Sequence, residues 1–212
     1  MGGIKGIIFD FDGTLADTMP LVFTAFYNVF KDYDGRLLSD QEIASYFGPS
    51  ETEVIKLNLN NKESIKDAIS TYYDVYTRNH DQYVKENVEI IELLKELKGR
   101  EYQLGIFTGK GKKSLEISLS QLNMSEYFDH IITSDDVSEP KPNSEGMYQL
   151  LGLMDCSPEE VIMIGDSDAD IAAAQSVEMK SVGVHWFKNN VFNINPDYEL
   201  NQISEFHKTG IL

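Results

Sequence analysis

Ile7-Ile8-Phe9-Asp10-Phe11-Asp12-Gly13-Thr14-Leu15 is the stretch on which the fold turns. A largely apolar run from Ile4 to Phe9 ends at two carboxylates one residue apart, and a glycine follows. A run this short, β-branched and closed by Gly predicts a buried strand. Asp10 then sits at the carboxyl end of the strand, where open α/β sheets bind their ligands. Asp10 and Asp12, at i and i+2 beside a turn, can face one small volume. Two like charges there repel unless a cation lies between them or one keeps its proton.

Downstream of this strand the pattern is helical. Asp17-Thr18-Met19-Pro20 reads as a helix start with Pro in the first turn, and the helix runs to about Phe30. Ser39-Asp40-Gln41-Glu42 has capping-box spacing, and the helix it opens ends near Gly48-Pro49. Glu51 to Leu59 and Ser64 to about Thr77 continue as helices. From Val88 onward helices and strands alternate. The helix Val88 to Lys98, with Gly99 as its expected C-cap, precedes a strand over Tyr102 to Thr108. Strands follow at His130 to Thr133, Val161 to Ile164 and Lys180 to Val184, with helices at Lys112 to Leu122, Asn143 to Leu151 and Asp168 to Ser176 between them. Such alternation implies right-handed crossovers and a mostly parallel sheet. The fold class is therefore α/β: a Rossmann-like parallel-sheet core over residues 1–15 and 83–212, with an inserted helical cap over 16–82.

The 212 residues suit one large or two small domains, and 42% hydrophobic content supports a real core. Lys+Arg 18 against Asp+Glu 35 gives a net charge of −17, which argues against nucleic acid and anionic membranes as partners. Cys156 is the single cysteine, so no intramolecular disulfide and no cysteine metal cluster is expected, and a reducing cytoplasm is the natural location. The N-terminus lacks a signal-peptide pattern, and no apolar run approaches the ~20 residues of a membrane span. Met1-Gly2-Gly3 reads as a flexible leader rather than a myristoylation signal. A monomer or homodimer is expected.

The first four expected strands each lead into a useful polar group: Asp10 and Asp12, then Thr108-Gly109-Lys110, then Glu139-Pro140-Lys141-Pro142, then Gly165-Asp166-Ser167-Asp168-Ala169-Asp170. Parallel strands put all these ends on one edge, so the groups can converge. A carboxylate can attack phosphorus and split a hydrolysis into two steps, and Asp10 on the rigid strand end is the candidate nucleophile. Asp12 can protonate a leaving oxygen and later deprotonate water. Asp10 and Asp166 can hold Mg²⁺, a hard ion that takes oxygen ligands. Phosphoryl transfer needs fixed cations and donors around three equatorial oxygens, and Lys141, Thr108 and the backbone N–H groups near Phe11 and Gly109 suit that need.

DFDGTLADT, the Thr108 of FTGK, the Lys141 of PKP and GDSDAD resemble, in kind and order, the four motifs of the haloacid dehalogenase-like superfamily. The resemblance covers nearly the whole chain. It implies a phosphatase with Asp10 as nucleophile, Asp12 as general acid/base and Mg²⁺ as cofactor. It also implies that the backbone carbonyl of Asp12 is a further metal ligand and that Asp170 orients metal-bound water from outside the ligand set. Among the phosphatases the chain looks most like the phosphoglycolate phosphatase group and its pyrophosphate-hydrolysing neighbour. Phe47-Gly48-Pro49, Asn79-His80-Asp81 and Gly183-Val184-His185-Trp186 resemble the latter. The expected activity is phosphoglycolate phosphatase-like hydrolysis of a small phosphorylated metabolite. The alternatives are an inorganic pyrophosphatase and a β-phosphoglucomutase-like phosphotransferase. Asp12 argues against dehalogenation, and the filled catalytic positions argue against a non-catalytic binding module.

Each residue also has a structural reading. Asp10 and Asp12 alone would be turn formers at a strand end. Thr108 alone would be a cap and Lys141 a solvated lysine, though its flanking prolines restrict its loop. Asp166 and Asp170 could cap the following helix, and Asp168 is expected to be a cap or a solvated residue with no chemistry of its own. Lys110, Lys112 and Lys113 form a small basic cluster that either attracts an anion or is simply solvated. His80 is expected at the surface, Tyr72, Tyr73 and Tyr76 in packing, and Trp186 in the core or at an edge. Leu15 to Asp17 and Tyr83 to Glu86 are the expected hinges, and the Lys141–Pro142 bond is a candidate for the cis form.

Overall fold

The computed structural model describes residues 3–208 and 210–211, so Met1 and Gly2, and any leader or acylation role for them, lie outside it. Six strands form one parallel sheet in the order β3-β2-β1-β4-β5-β6. They are β1 Gly6–Phe9, β2 Gln103–Phe107, β3 His130–Ile132, β4 Val161–Gly165, β5 Lys180–Val184 and β6 Tyr198–Leu200. This is the doubly wound order, in which ligands bind beyond the strand ends near the point where the winding reverses. Here β1 and β4 flank that point.

Side chains alternate across a strand with period two, and both faces of this sheet are covered. Ile7 and Phe9 of β1, with Ile162 and Ile164 of β4, belong to one buried cluster, whereas Ile8, Val161 and Met163 belong to a second. Helix α5, Val88–Gly99, covers the first face with Ile90, Leu94 and Leu97. Helices α7, Glu145–Met154, and α8, Asp168–Gln175, cover the second with Met147, Leu150, Met154, Ala173 and Ala174. Helix α6, Lys112–Gln121, adds Leu115 and Leu119 to the first cluster.

Between β1 and α5 the chain is helical: α1 Met19–Asp34, α2 Asp40–Ala44, α3 Glu51–Asn58, a short 3-10 turn, and α4 Ile65–Tyr83. Helix α1 buries Leu21, Val22, Ala25, Phe26, Val29 and Phe30, the i, i+3/i+4 stripe expected of one face. Its ring Phe26 lies 4.8 Å from that of Tyr72 on α4, and Tyr72 stacks on Tyr76. Ser39 and Glu42 form the reciprocal capping box that their spacing predicts.

The elements differ from the sequence expectations in several places. Helix α1 continues to Asp34 and stops at Gly35, whose φ of 65° turns the chain so that Gly35 N donates to the Lys31 carbonyl and Arg36 N to the Phe30 carbonyl. Helix α4 runs on to Tyr83 rather than ending at about Thr77. Gly99 lies inside α5, and the left-handed residue beyond the helix is Glu101, with φ 63°. Strand β6 and the 3-10 helix Ile203–Lys208 have no counterpart in the sequence reading. The Lys141–Pro142 bond is cis. Among the described residues, no helix is long and apolar enough to cross a membrane.

Candidate active site

Strand register brings the polar groups together. Phe9 pairs with Ile106 on one side and Ile164 on the other. One residue further along, Asp10 leaves β1 at the level where β2 and β4 are ending, so Thr108 and Asp166 emerge beside it. The backbone then folds tightly: the Phe11 carbonyl accepts from the N–H groups of Thr14, Leu15 and Ala16. Gly13 sits in this turn with φ +84°, and a Cβ there would lie 2.4 Å from Oδ2 of Asp166. Only glycine satisfies both the backbone angle and the approach.

The structure brings Asp10, Lys141, Asp166 and Asp170 into one cluster, in which Asp10 and Asp170 are buried and Asp166 is partly exposed. Lys141 Nζ lies 3.0 Å from Asp10 Oδ1 and 2.5 Å from Asp170 Oδ1, and it donates to the Phe107 carbonyl at 3.1 Å. Carboxylate oxygens of Asp10, Asp166 and Asp170 lie within 4.8 Å of one another. Burial, reinforced by the Asp170 charge, pushes Asp10 up to about 8, against the pull of Lys141. Burial and Asp170 likewise raise Asp166 to about 6. Burial alone would lower the Lys141 ammonium, but Asp10 and Asp170 outweigh it and hold its pKa above the ordinary lysine value. Three carboxyls and one lysine in a buried site leave room for one more cation, and an all-oxygen donor set suits a hard divalent ion.

Asp170, expected outside the ligand set, is fully buried and takes part in α8's own start. Its carboxylate accepts from Ser167 N at 3.1 Å and Ser167 Oγ at 2.6 Å, while its N–H donates back to Ser167 Oγ. Asp168 accepts from the N–H groups of Asn193 and Ile194 and so holds the loop that follows β5.

Asp12 stands on the other side of the cluster. Thr18 Oγ1 donates to its Oδ1, and Lys110 Nζ lies 3.1 Å from the same oxygen. Phe11 N donates to Asp10 Oδ1 at 2.7 Å. Thr108 is buried, and its Oγ1 accepts from Lys110 N at 3.2 Å. Asp10, Asp12, Thr108, Gly109, Lys141 and Asp166 all line one cavity of about 320 Å³, whose opposite wall is Val22, Phe26, Phe47, Pro49 and Val54 from the helical segment.

Three side chains at this site escaped the sequence reading. Lys110 is buried between Asp12 and Glu51 and lies 4.7 Å over the ring of Tyr76, apart from the exposed Lys112 and Lys113, the second of which lies 4.3 Å over the ring of Tyr73. Its place directly after Thr108-Gly109 is the one signal that could have found it. Glu51 is a buried carboxylate on the cavity wall. Asn190 donates to the Asp166 carbonyl at 2.7 Å and to its Oδ2 at 3.2 Å. His80, expected at the surface, is fully buried, with Nε2 3.1 Å from Ser118 Oγ.

A family model described as haloacid dehalogenase-like hydrolase matches residues 7–184. The chain is 31% identical over 206 residues to the pyrophosphatase PpaX of Bacillus mycoides (strain KBAB4), across 95% of this chain and 94% of that protein. A crystal structure of a predicted phosphoglycolate phosphatase from Haemophilus somnus 129pt superposes with a TM-score of 0.84 at 22% identity, covering 98% of each chain. A haloacid dehalogenase-like family hydrolase, SP0104 from Streptococcus pneumoniae, superposes with a TM-score of 0.76 at 27% identity, covering 98% of this chain and 99% of that one.

Proposed function

The chain belongs to the haloacid dehalogenase-like hydrolases, and we propose that it is a Mg²⁺-dependent phosphatase that works through a phosphorylated Asp10. The observation that carries this reading is the pairing of Asp10 with Lys141 at 3.0 Å on the floor of the cavity, with Asp166 and Asp170 beside it.

In this reading one Asp10 carboxylate oxygen attacks phosphorus, and the bond to the leaving oxygen breaks. Asp12 gives that oxygen its proton. Water then attacks the same phosphorus, Asp12 takes a proton from it, and Asp10 is released as a free carboxylate alongside phosphate. Lys141 faces the phosphoryl oxygens and balances charge as it builds on them, and the Thr108 hydroxyl and backbone N–H groups at Phe11 and Gly109 donate to them. Asp10, Asp166 and the Asp12 carbonyl would hold Mg²⁺, with Asp170 behind them. When bound, the ion supplies positive charge to the transferring group and relieves repulsion among the carboxylates. The helical wall shields the reacting atoms from bulk water and sets the room for the leaving group. Residues 16–82 thus serve as the cap and residues 1–15 and 83–212 as the catalytic core.

The cavity volume of about 320 Å³ suits a small phosphorylated metabolite such as phosphoglycolate. A second reading, pyrophosphate, is favoured by the similarity to PpaX across 95% of the chain. The test is phosphate release, with Mg²⁺ and with chelator, from phosphoglycolate, pyrophosphate, hexose phosphates and nucleotides. Release from at least one of them that stops with chelator supports the proposal. Turnover of none, or turnover indifferent to chelator, defeats it. Conversion of a hexose 1-phosphate to its 6-isomer without phosphate release would instead identify a phosphotransferase.

A further inference from the structure

Glu51 is a carboxylate in an unusual place. It is the first residue of α3, it is 7% exposed, and it faces the catalytic cavity from the helical side. A buried carboxylate needs partners to remain charged. Beyond its own backbone, the partners of Glu51 among the described residues lie in one stretch of the sheet-side chain, between β2 and the first turn of α6. Gly111 N donates to its Oε2 at 2.9 Å, Ser114 Oγ donates to its Oε1 at 2.5 Å, and Lys110 Nζ lies 3.6 Å from the same Oε1. Gly111 is the N-cap of α6 and has no side chain with which to cap it. Glu51, from another helix, takes the Gly111 N–H and Asp135 takes the Lys112 N–H at 2.8 Å, so the two carboxylates share the start of α6, where the orphan N–H groups and the helix dipole favour negative charge.

The lysine that Glu51 reaches is the one that pairs with Asp12. Lys110 Nζ is 3.1 Å from Asp12 Oδ1 on one side and 3.6 Å from Glu51 Oε1 on the other. Its aromatic neighbour, Tyr76 of α4, donates to or accepts from Ser118 Oγ at 2.8 Å, and His80 approaches the same hydroxyl. Ser114 and Ser118 stand four residues apart, on one face of α6, and both are buried. The helical segment therefore rests on α6 through a polar seam, and Glu51 is the end of that seam that opens onto the cavity.

The geometry points to Glu51 as a positioning residue: by docking α3 on the start of α6 and sharing Lys110 with Asp12, it couples closure of the helical wall to the placement of the Asp12 carboxylate. This rests on Asp12 serving as the acid/base of the proposed phosphatase. Glu51 does not react. It acts through Lys110, and through the closed position of the wall that carries Val54 and Phe47.

The test uses the full chain with Mg²⁺, p-nitrophenyl phosphate as substrate, and amide exchange at Gly111 as a second readout. E51A removes both the cap and the charge. Its kcat should fall by about 10²-fold, the cost of a modest misplacement of a catalytic group, with a smaller change in KM. Exchange at Gly111 should rise. E51Q keeps an oxygen for Gly111 but not the charge that holds Lys110, so exchange should stay near wild type while kcat still falls. Wild-type kcat in folded E51Q overturns the coupling to Asp12. Wild-type protection of Gly111 in folded E51A overturns the docking; if E51A does not fold, S114A, which removes one donor to Glu51, replaces it in that arm, and unchanged protection there overturns the docking equally. A wild-type protein that releases no phosphate from any ester defeats the phosphatase reading and the coupling with it, and the exchange arm still decides the docking.

Discussion

Lys141 Nζ bridges Asp10 and Asp170, lying 3.0 Å from an oxygen of the first and 2.5 Å from an oxygen of the second. One ammonium thus ties the end of β1 to the first turn of α8. Asp166 stands beside this bridge with no lysine of its own among the described residues, steadied by the amide of Asn190. The arrangement carries more carboxylate than ammonium, and that imbalance organises the behaviour expected of the protein.

Asp10→Asn should abolish phosphate release while leaving the fold intact. Burial and Asp170 disfavour the Asp10 charge, so the neutral amide should leave the melting temperature of the metal-free protein unchanged or raised. Activity assays and a thermal melt decide the point; near-normal turnover would remove Asp10 from the nucleophile's role.

Asp10 and Asp166 are raised to about 8 and about 6 in the metal-free fold, so between the ordinary carboxylate range and those values the folded state holds more protons than the unfolded one. Their contribution to stability is full below the ordinary carboxylate range and is lost as pH rises toward 8. The melting temperature of chelator-treated protein should therefore fall between pH 6 and 8. Mg²⁺ should flatten that slope, release protons as it binds, and bind more weakly at pH 6 than at pH 8. Titration calorimetry in buffers of different ionisation enthalpy reads the proton release directly.

Lys141→Met should be costly twice over. It removes the charge facing the substrate, and it leaves Asp10 and Asp170 without their ammonium in a buried site. Breaking a buried pair from one side costs about 3–5 kcal/mol. Urea unfolding of the metal-free variant should show a loss of that order, and Mg²⁺ should restore part of it.

Gly13→Ala tests the turn behind β1. The residue has φ +84°, and the added methyl would meet the Asp166 carboxylate at 2.4 Å. A destabilisation of more than about 1 kcal/mol is expected, since alanine does not accept that backbone angle. Metal affinity should fall with it, because Asp166 must move. An alanine variant with wild-type metal affinity would show that Asp166 has no part in the ion site.

His80 is buried against Ser118 and Tyr76, and burial lowers its pKa. Below about 6.5, the ordinary histidine value, the unfolded chain takes up a proton that the folded chain resists, so stability falls as pH drops through that range. His80→Gln should remove this part of the acid sensitivity. Melts of the two proteins from pH 7.5 to 5 would converge at the acid end.

Much of this architecture could be read from the chain because its signals are local. The apolar run into Asp10, the capping box at Ser39 and the alternation of strand and helix after Val88 each declare themselves within a few residues. The convergence of Asp10, Lys141 and Asp166 followed from one rule about parallel strands. What escaped depends on partners distant in sequence. Lys110 looks like one lysine of three until Asp12, 98 positions away, and Glu51 close around it. His80 is buried because Ser118, 38 positions on, meets its ring. Strand β6 has three residues, one of them an exposed Glu199, which is too short for any periodicity to show.

That small strand has a practical consequence for anyone trimming the gene. The matched family region closes at residue 184, where β5 ends, yet Val182, Gly183 and Val184 are each paired with β6. A version cut at that boundary would bare a row of unpaired amides and carbonyls on β5, an invitation to stick to its neighbours. It would also discard Asn190 and the loop tethered by Asp168, so the shortened protein should come out both less soluble and poorer at gripping its ion.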